Sequence, residues 1–166
     1  MEKSNEQILK KTGAERSSDH GVETMALPTI SIRQDVILQI EKHCLRELPR
    51  EGCGLLAGQG REITRFFPIP NQDPDPDSFS FEPRTYLETL KEMRRQTLEP
   101  LGMVHSHPRS DPWPSAKDIR EWHYPELTSW ILSLKQAEPR LSAYCIQGGQ
   151  VDPVMYLVSG PAPDPS

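Results

Sequence analysis

The sequence has no apolar run near the ~20 residues that a membrane helix requires, so no membrane-spanning helix is expected. Its opening, MEKSNEQILKK, holds neither an apolar core nor a small-residue cleavage site, which argues against a secretory leader. Cysteine is scarce. Cys44, Cys53 and Cys145 make no disulfide framework and fit no Cys-rich zinc pattern. Free, mostly buried thiols in a reducing, cytoplasmic compartment are expected. Positive charge is not concentrated either. The net charge is -5, and basic residues occur only in short pairs such as Lys10-Lys11 and Arg94-Arg95, so there is no electrostatic case for nucleic acid. The H-E-x-x-H zincin pattern is absent, as is the H-x-E with P-C-x-x-C of the zinc deaminases. Asp73, Asp75 and Asp77 mimic the start of a calcium loop. Ser78 and Arg84 stand where that loop needs Gly and Glu, which excludes it.

Apolar residues make up 35% of the chain and the mean hydropathy is -0.63, low for a wholly compact domain. Two polar ends account for the deficit. Residues 1–27 are charged and aperiodic, and 159–166 (SGPAPDPS) carry prolines that forbid regular structure. One globular domain over 28–158 is expected, long enough for a core of its own.

Within it, TISI at 29–32 reads as a strand. Apolar residues Val36, Ile37, Ile40, Cys44, Leu45 and Leu48 recur at a helical period over 33–48, with Pro49 after the end. Residues 52–69 read as a hairpin, and 70–77 (PNQDPDPD) as a stiff acidic loop. SFSF at 78–81 alternates like an edge strand. Glu82 to Leu98 is a second amphipathic helix. LGMVHSH at 101–107 is a buried strand, and a short helix starts at Ser115. TSWILSL, RLSAYCIQ and QVDPVMYLVS read as three more strands, the last two joined by a Gly148-Gly149 turn. Helices alternate with strands and hairpins are mixed in, so an α/β domain with one mixed sheet is expected.

The chemistry is concentrated in one run: His105-Ser-His107, then Ser115, two residues, and Asp118. Strand residues two apart face the same way, about 6–7 Å apart at their bases, so the two imidazoles can converge. Asp118, one turn into the next helix, can complete the set after the chain reverses. Two imidazoles and one carboxylate form a typical catalytic zinc set with its fourth position open to water. Prolines 108, 112 and 114 stiffen the reversing loop. A hydrolase of this kind also needs a base. Glu51, at the head of the apolar run GCGLLAG, is the best-placed acid, and Glu47 in the preceding helix is weaker. Each residue also has an ordinary reading. Ser115-x-x-Asp118 is a capping box, Glu51 could be a strand-end charge, Cys53 a buried small residue, and Trp113 a loop-packing aromatic. His20, His43 and His123 have no partners at ligand spacing. The joint spacing is what departs from chance, at about one chain in a thousand for this composition.

E-G-C-G-L-L-A-G at 51–58 followed by H-S-H-P-x6-S-x2-D at 105–118 resembles the JAMM/MPN+ metalloproteases, in their compact stand-alone prokaryotic form. The resemblance extends over most of 29–158 and includes Pro70-Asn71. It implies an MPN fold, a curved mixed sheet flanked by helices and similar to cytidine deaminases. It implies zinc held by His105, His107 and Asp118, Glu51 as general base, and Ser115 steadying a tetrahedral oxyanion. It also implies a substrate: an amide bond at the C-terminal Gly-Gly of a ubiquitin-like protein, with a sulfur carrier favoured because the domain has no large insertion. A sheet edge such as 78–81 could receive the extended tail. Two other classes fit the same residues. One is a metal-stabilised, non-catalytic scaffold. The other is a metallohydrolase acting on a small amide or on a nucleic-acid-associated substrate, as in relatives tied to DNA repair, and Ser106, Arg109 and the negative charge count against the latter.

Overall fold

The computed structural model describes residues 29–160. The expected ends at 1–27 and 159–166 fall almost wholly outside that range, although Ser159 closes the last strand. Among the described residues eleven elements follow in order: β1 Ile30–Arg33, α1 Gln34–Glu47, β2 Cys53–Gln59, β3 Glu62–Ile69, α2 Pro83–Arg95, β4 Glu99–His107, α3 Ala116–Arg120, β5 Thr128–Ser133, β6 Arg140–Gln147, β7 Gln150–Val154 and β8 Tyr156–Ser159. The strands form one mixed sheet in the order β7-β6-β5-β4-β2-β3-β1-β8.

β7 and β8 sit at opposite edges of that sheet, yet only Met155 separates them in sequence. The sheet must therefore curl until its two edges meet. This corrects the expectation of a single strand over QVDPVMYLVS. Alternation carries on through Met155 and gives no sign of the break. Met155 is 90% exposed, and β8 leaves β6's neighbour to pair in parallel with β1. Gly148 and Gly149 both adopt positive φ, which a tight two-residue hairpin turn between β6 and β7 requires.

The curl creates two packing surfaces. Ile32, Ile40, Leu56, Val104, Trp130 and Leu132 fill the side covered by α1. Leu55, Ile69, Met93, Met103 and Leu127 fill the side covered by α2. The register shows the strand period at work. On β2, Leu55 and Leu56 belong to different clusters, and on β4 so do Met103 and Val104. β2 is buried along nearly its whole length, and its glycines allow this. A Cβ on Gly54 would lie 2.4 Å from the Phe67 carbonyl oxygen.

SFSF is not an edge strand. One isolated bridge, Asn71 to Phe81, is all the pairing it makes among the described residues. The Asn71 side chain takes the backbone groups a ladder would have used. Its Nδ2 donates to the Ser78 carbonyl at 3.0 Å, and its Oδ1 accepts from the Ser80 N–H at 3.1 Å.

All three cysteines are free. Burial pushes the Cys44 thiol up to about 12 and raises Cys53 as well, while Cys145 is only half-buried. Thiolate is the reactive form. Native protein is expected to take up one equivalent of iodoacetamide, at Cys145, and three after unfolding, as counted by intact-mass spectrometry.

Candidate metal centre

β4 is the central strand, antiparallel to β2 on one side and parallel to β5 on the other. The chain leaves its carboxyl end, passes through α3 and returns as β5. Ligand sites in sheets of this kind form outside the carboxyl ends of strands. His105 and His107 occupy that end, on the same face as Met103, and are 2% and 5% exposed. Ser106 between them faces the α1 side and is fully buried.

The three expected ligands come together. His105 Nε2 and His107 Nε2 are 3.1 Å apart. Asp118 Oδ2 lies 3.2 Å from the first and 3.3 Å from the second. A tetrahedral ion with bonds of about 2.0–2.1 Å has ligand-to-ligand edges of about 3.3–3.4 Å, so the triangle has the size such an ion demands. Each group is also held from outside. His107 Nδ1 donates to the Asp111 carbonyl at 2.9 Å, which leaves Nε2 with its lone pair toward the other two ligands. Phe79 stacks on the His105 ring at 4.5 Å. Asp118 Oδ2 accepts from the Ser115 N–H at 2.9 Å, and Ser115 Oγ accepts from the Asp118 N–H at 3.0 Å. The capping box thus places the carboxylate, and the two readings of Ser115-x-x-Asp118 are one structure.

The ionisation of the three groups follows from burial and from their mutual contacts. Burial lowers the His105 imidazole despite the nearby carboxylate. Burial also acts against charge on His107, but hydrogen bonds with Asp118 and Asp111 outweigh it and raise the group. Burial opposes ionisation of Asp118 too, yet the contacts from both histidines hold its carboxyl well below the usual range. Three electron-rich atoms gathered this closely repel one another unless a cation or protons sit among them. The donor set therefore fits a divalent metal.

Glu51 is 5% exposed and stands beside the pair, one of its oxygens within 4.8 Å of a ring nitrogen on each histidine. Glu51 could itself be counted as a third ligand with them. Asp118 Oδ2 makes the shorter contacts, at 3.2 and 3.3 Å from the two ring nitrogens, and Glu51 Oε1 has no such partner among the described residues. Burial, aided by Asp118, Asp77 and Asp75 and opposed by His107, pushes Glu51 up to about 8. A cation beside it would draw that value down.

A cavity of about 310 Å³ opens next to His105 and Asp118, walled by Phe79, Phe81, Tyr86, Trp122 and Tyr124. Phe79 and Phe81 belong to the 78–81 segment expected as an edge, and Tyr86 to the helix expected over 82–98, but their meeting with Trp122 and Tyr124 around one cavity is not encoded by any period. The acidic loop is tied to the metal segments by Asp73 to Lys117 at 3.3 Å and Asp77 to Arg109 at 2.6 Å. Trp113 is half exposed and packs edge-on against Tyr144, as expected of a loop aromatic. Among the described residues, no helix is long and apolar enough to cross a membrane.

Residues 33–146 match the family of prokaryotic homologs of the JAB domain. The chain belongs to that family. Within it, the chain is 38% identical over 97 residues to a probable TtuB-protein conjugate cleaving protease of Thermus thermophilus, an alignment spanning 57% of this chain and 65% of that protein. It is 30% identical to a desampylase of Pyrococcus furiosus over 71% of this chain and 88% of the relative. Protein DSY2949 of Desulfitobacterium hafniense superposes with a TM-score of 0.73 at 32% identity, covering 79% of this chain and 93% of that one. The fold of this JAB-domain protein is therefore the curled mixed sheet that the motif run implied.

Proposed function

We propose that this JAB-domain protein is a zinc-dependent isopeptidase or peptidase that hydrolyses an amide bond at the C-terminal Gly-Gly of a ubiquitin-like protein, a sulfur carrier in the favoured case. The observation that carries this reading is the ligand triangle of His105, His107 and Asp118 beside the unpartnered Glu51 oxygen. The relative named above as a probable TtuB-protein conjugate cleaving protease supports the substrate class.

His105 Nε2, His107 Nε2 and Asp118 Oδ2 would hold the ion. A bound divalent cation acts as a Lewis acid, easing loss of a proton from water near neutral pH and polarising a carbonyl. The chain supplies the rest. Glu51 takes a proton from the attacking water as its oxygen adds to the amide carbon. The Ser115 hydroxyl, whose oxygen already accepts from the Asp118 N–H, keeps its own hydrogen free to donate to the developing oxyanion. Glu51 then passes its proton to the amide nitrogen as the C–N bond breaks, giving a carboxylic acid and an amine. Two glycines suit the approach, because an extended backbone without side chains can reach buried ligands.

The test uses a recombinant ubiquitin-like carrier whose Gly-Gly tail is extended by one cysteine, or joined to a lysine ε-amine. Metal-loaded protein is expected to remove the adduct mass, and His107→Ala to leave it intact. No release from either probe by the metal-loaded form would reject the enzymatic reading in favour of a metal-stabilised scaffold.

A further inference from the structure

A general base works only if it is aimed, and no hydrogen bond among the described residues aims the Glu51 Oε1 atom. The Glu51 backbone is what is held. The peptide unit joining Glu51 to Gly52 lies just before β2 begins at Cys53, outside the named strand. The carbonyl oxygen of that unit accepts from Asn71 Nδ2 at 3.0 Å. Its N–H, carried by Gly52, donates to Ser106 Oγ at 2.8 Å. Both ends of one amide plane are gripped by side chains from two other segments. With both ends of that plane held, ψ of Glu51 and φ of Gly52 are restrained, so the Glu51 Cα keeps its place beside the histidines and the side chain is launched from a fixed point.

The two anchors are themselves fixed. Ser106 is fully buried, and its own N–H donates to the Gly52 carbonyl at 2.9 Å. Asn71 uses its remaining capacity on the Ser78 carbonyl and on the N–H groups of Asp73 and Ser80. Gly52 is closely packed as well, since a Cβ there would sit 3.1 Å from Cys44 Cα and Sγ.

We infer that Ser106 and Asn71 are positioning residues that aim Glu51 by locking the 51–52 peptide plane, an inference that rests on Glu51 being the base. The geometry has a simple consequence. One strand carries the metal ligands on one face and the anchor of the base on the other, so ligands and base keep their spacing as a unit.

Ser106→Ala, Ser106→Cys and Ser106→Thr in the metal-loaded full chain test this with the cysteine-extended carrier. Misplacement of a reacting group by about 1 Å can cost about 100-fold. Ser106→Ala is expected to lower kcat about 10- to 100-fold with KM and metal content unchanged. Ser106→Cys, which keeps the volume and weakens the acceptor, is expected to fall likewise, and Ser106→Thr, which keeps the hydroxyl, to recover most of the loss. Hydrogen exchange at the Gly52 amide, followed by NMR without substrate, is expected to quicken in Ser106→Ala and not in Ser106→Thr. In a Glu51→Gln background, Ser106→Ala is expected to cost little more, because the group it aims is gone. Unchanged kcat in Ser106→Ala with an inactive Glu51→Gln overturns the positioning role alone, as does an additive double variant. Full activity in Glu51→Gln overturns the base reading and the inference with it.

Discussion

Glu51→Gln is expected to lower adduct release about 10²- to 10⁴-fold, the usual worth of a general base, with the metal still bound. The substitution is nearly isosteric at a position 5% exposed, so the cavity shape is kept. Only the capacity to take a proton is lost. Metal content by mass spectrometry and single-turnover rates check the two halves of the statement. Stability separates this loss from unfolding. In the metal-free protein, burial holds the proton on Glu51 up to about pH 8, against an ordinary value of 4.5. Between those values the folded state binds a proton that the unfolded chain has released, so stability falls as pH rises through the window. Gln has no proton to lose. The metal-free variant should therefore melt at the same temperature as the parent near pH 4 and higher than the parent at pH 8. A variant that is inactive and also melts lower at pH 8 would point to damage, not to a missing base.

The convergence of His105, His107 and Asp118 was legible because its geometry is local. His105 and His107 share a face by strand period alone, and Asp118 is delivered by a capping box readable in four residues. Glu51 was legible only as an acid at the head of an apolar run. Its proximity to the histidines depends on β2 pairing with β4, where Cys53 meets His105, a contact 52 residues apart in sequence that no period encodes. Asn71 was visible as a residue and silent as to role, since its four hydrogen bonds reach segments whose placement depends on the whole loop. The same limit explains the two misread strands. SFSF has strand alternation, but Asn71 competes for its backbone groups. The final strand alternates across Met155, but sheet closure decides that its halves pair at opposite edges.

Asp118→Asn is expected to have the larger structural consequence, taking metal content from about one equivalent to nearly none. The carboxylate oxygen is the shared vertex of the site: it lies 3.2 and 3.3 Å from the two ring nitrogens and accepts the Ser115 N–H at 2.9 Å. Its carboxyl is also held well below the usual range, so as the proposed ligand it would supply charge that offsets burying a divalent ion. An amide oxygen keeps the cap and most of the shape but not the charge. An ion present at about a thousand times its Kd stabilises a fold by about 4 kcal/mol, which for a domain of this size is about 10 °C in Tm. Parent protein should lose roughly that much when EDTA is added, and Asp118→Asn should melt at one temperature with or without the chelator. Ser115→Ala makes the contrast. It removes the cap acceptor and the proposed oxyanion donor but none of the proposed ligands, so it should keep the EDTA response while losing rate. If Asp118→Asn still bound one equivalent and still responded to EDTA, the third ligand would have to be Glu51, the other carboxylate within reach of both histidines, and Glu51 could no longer serve as the free base.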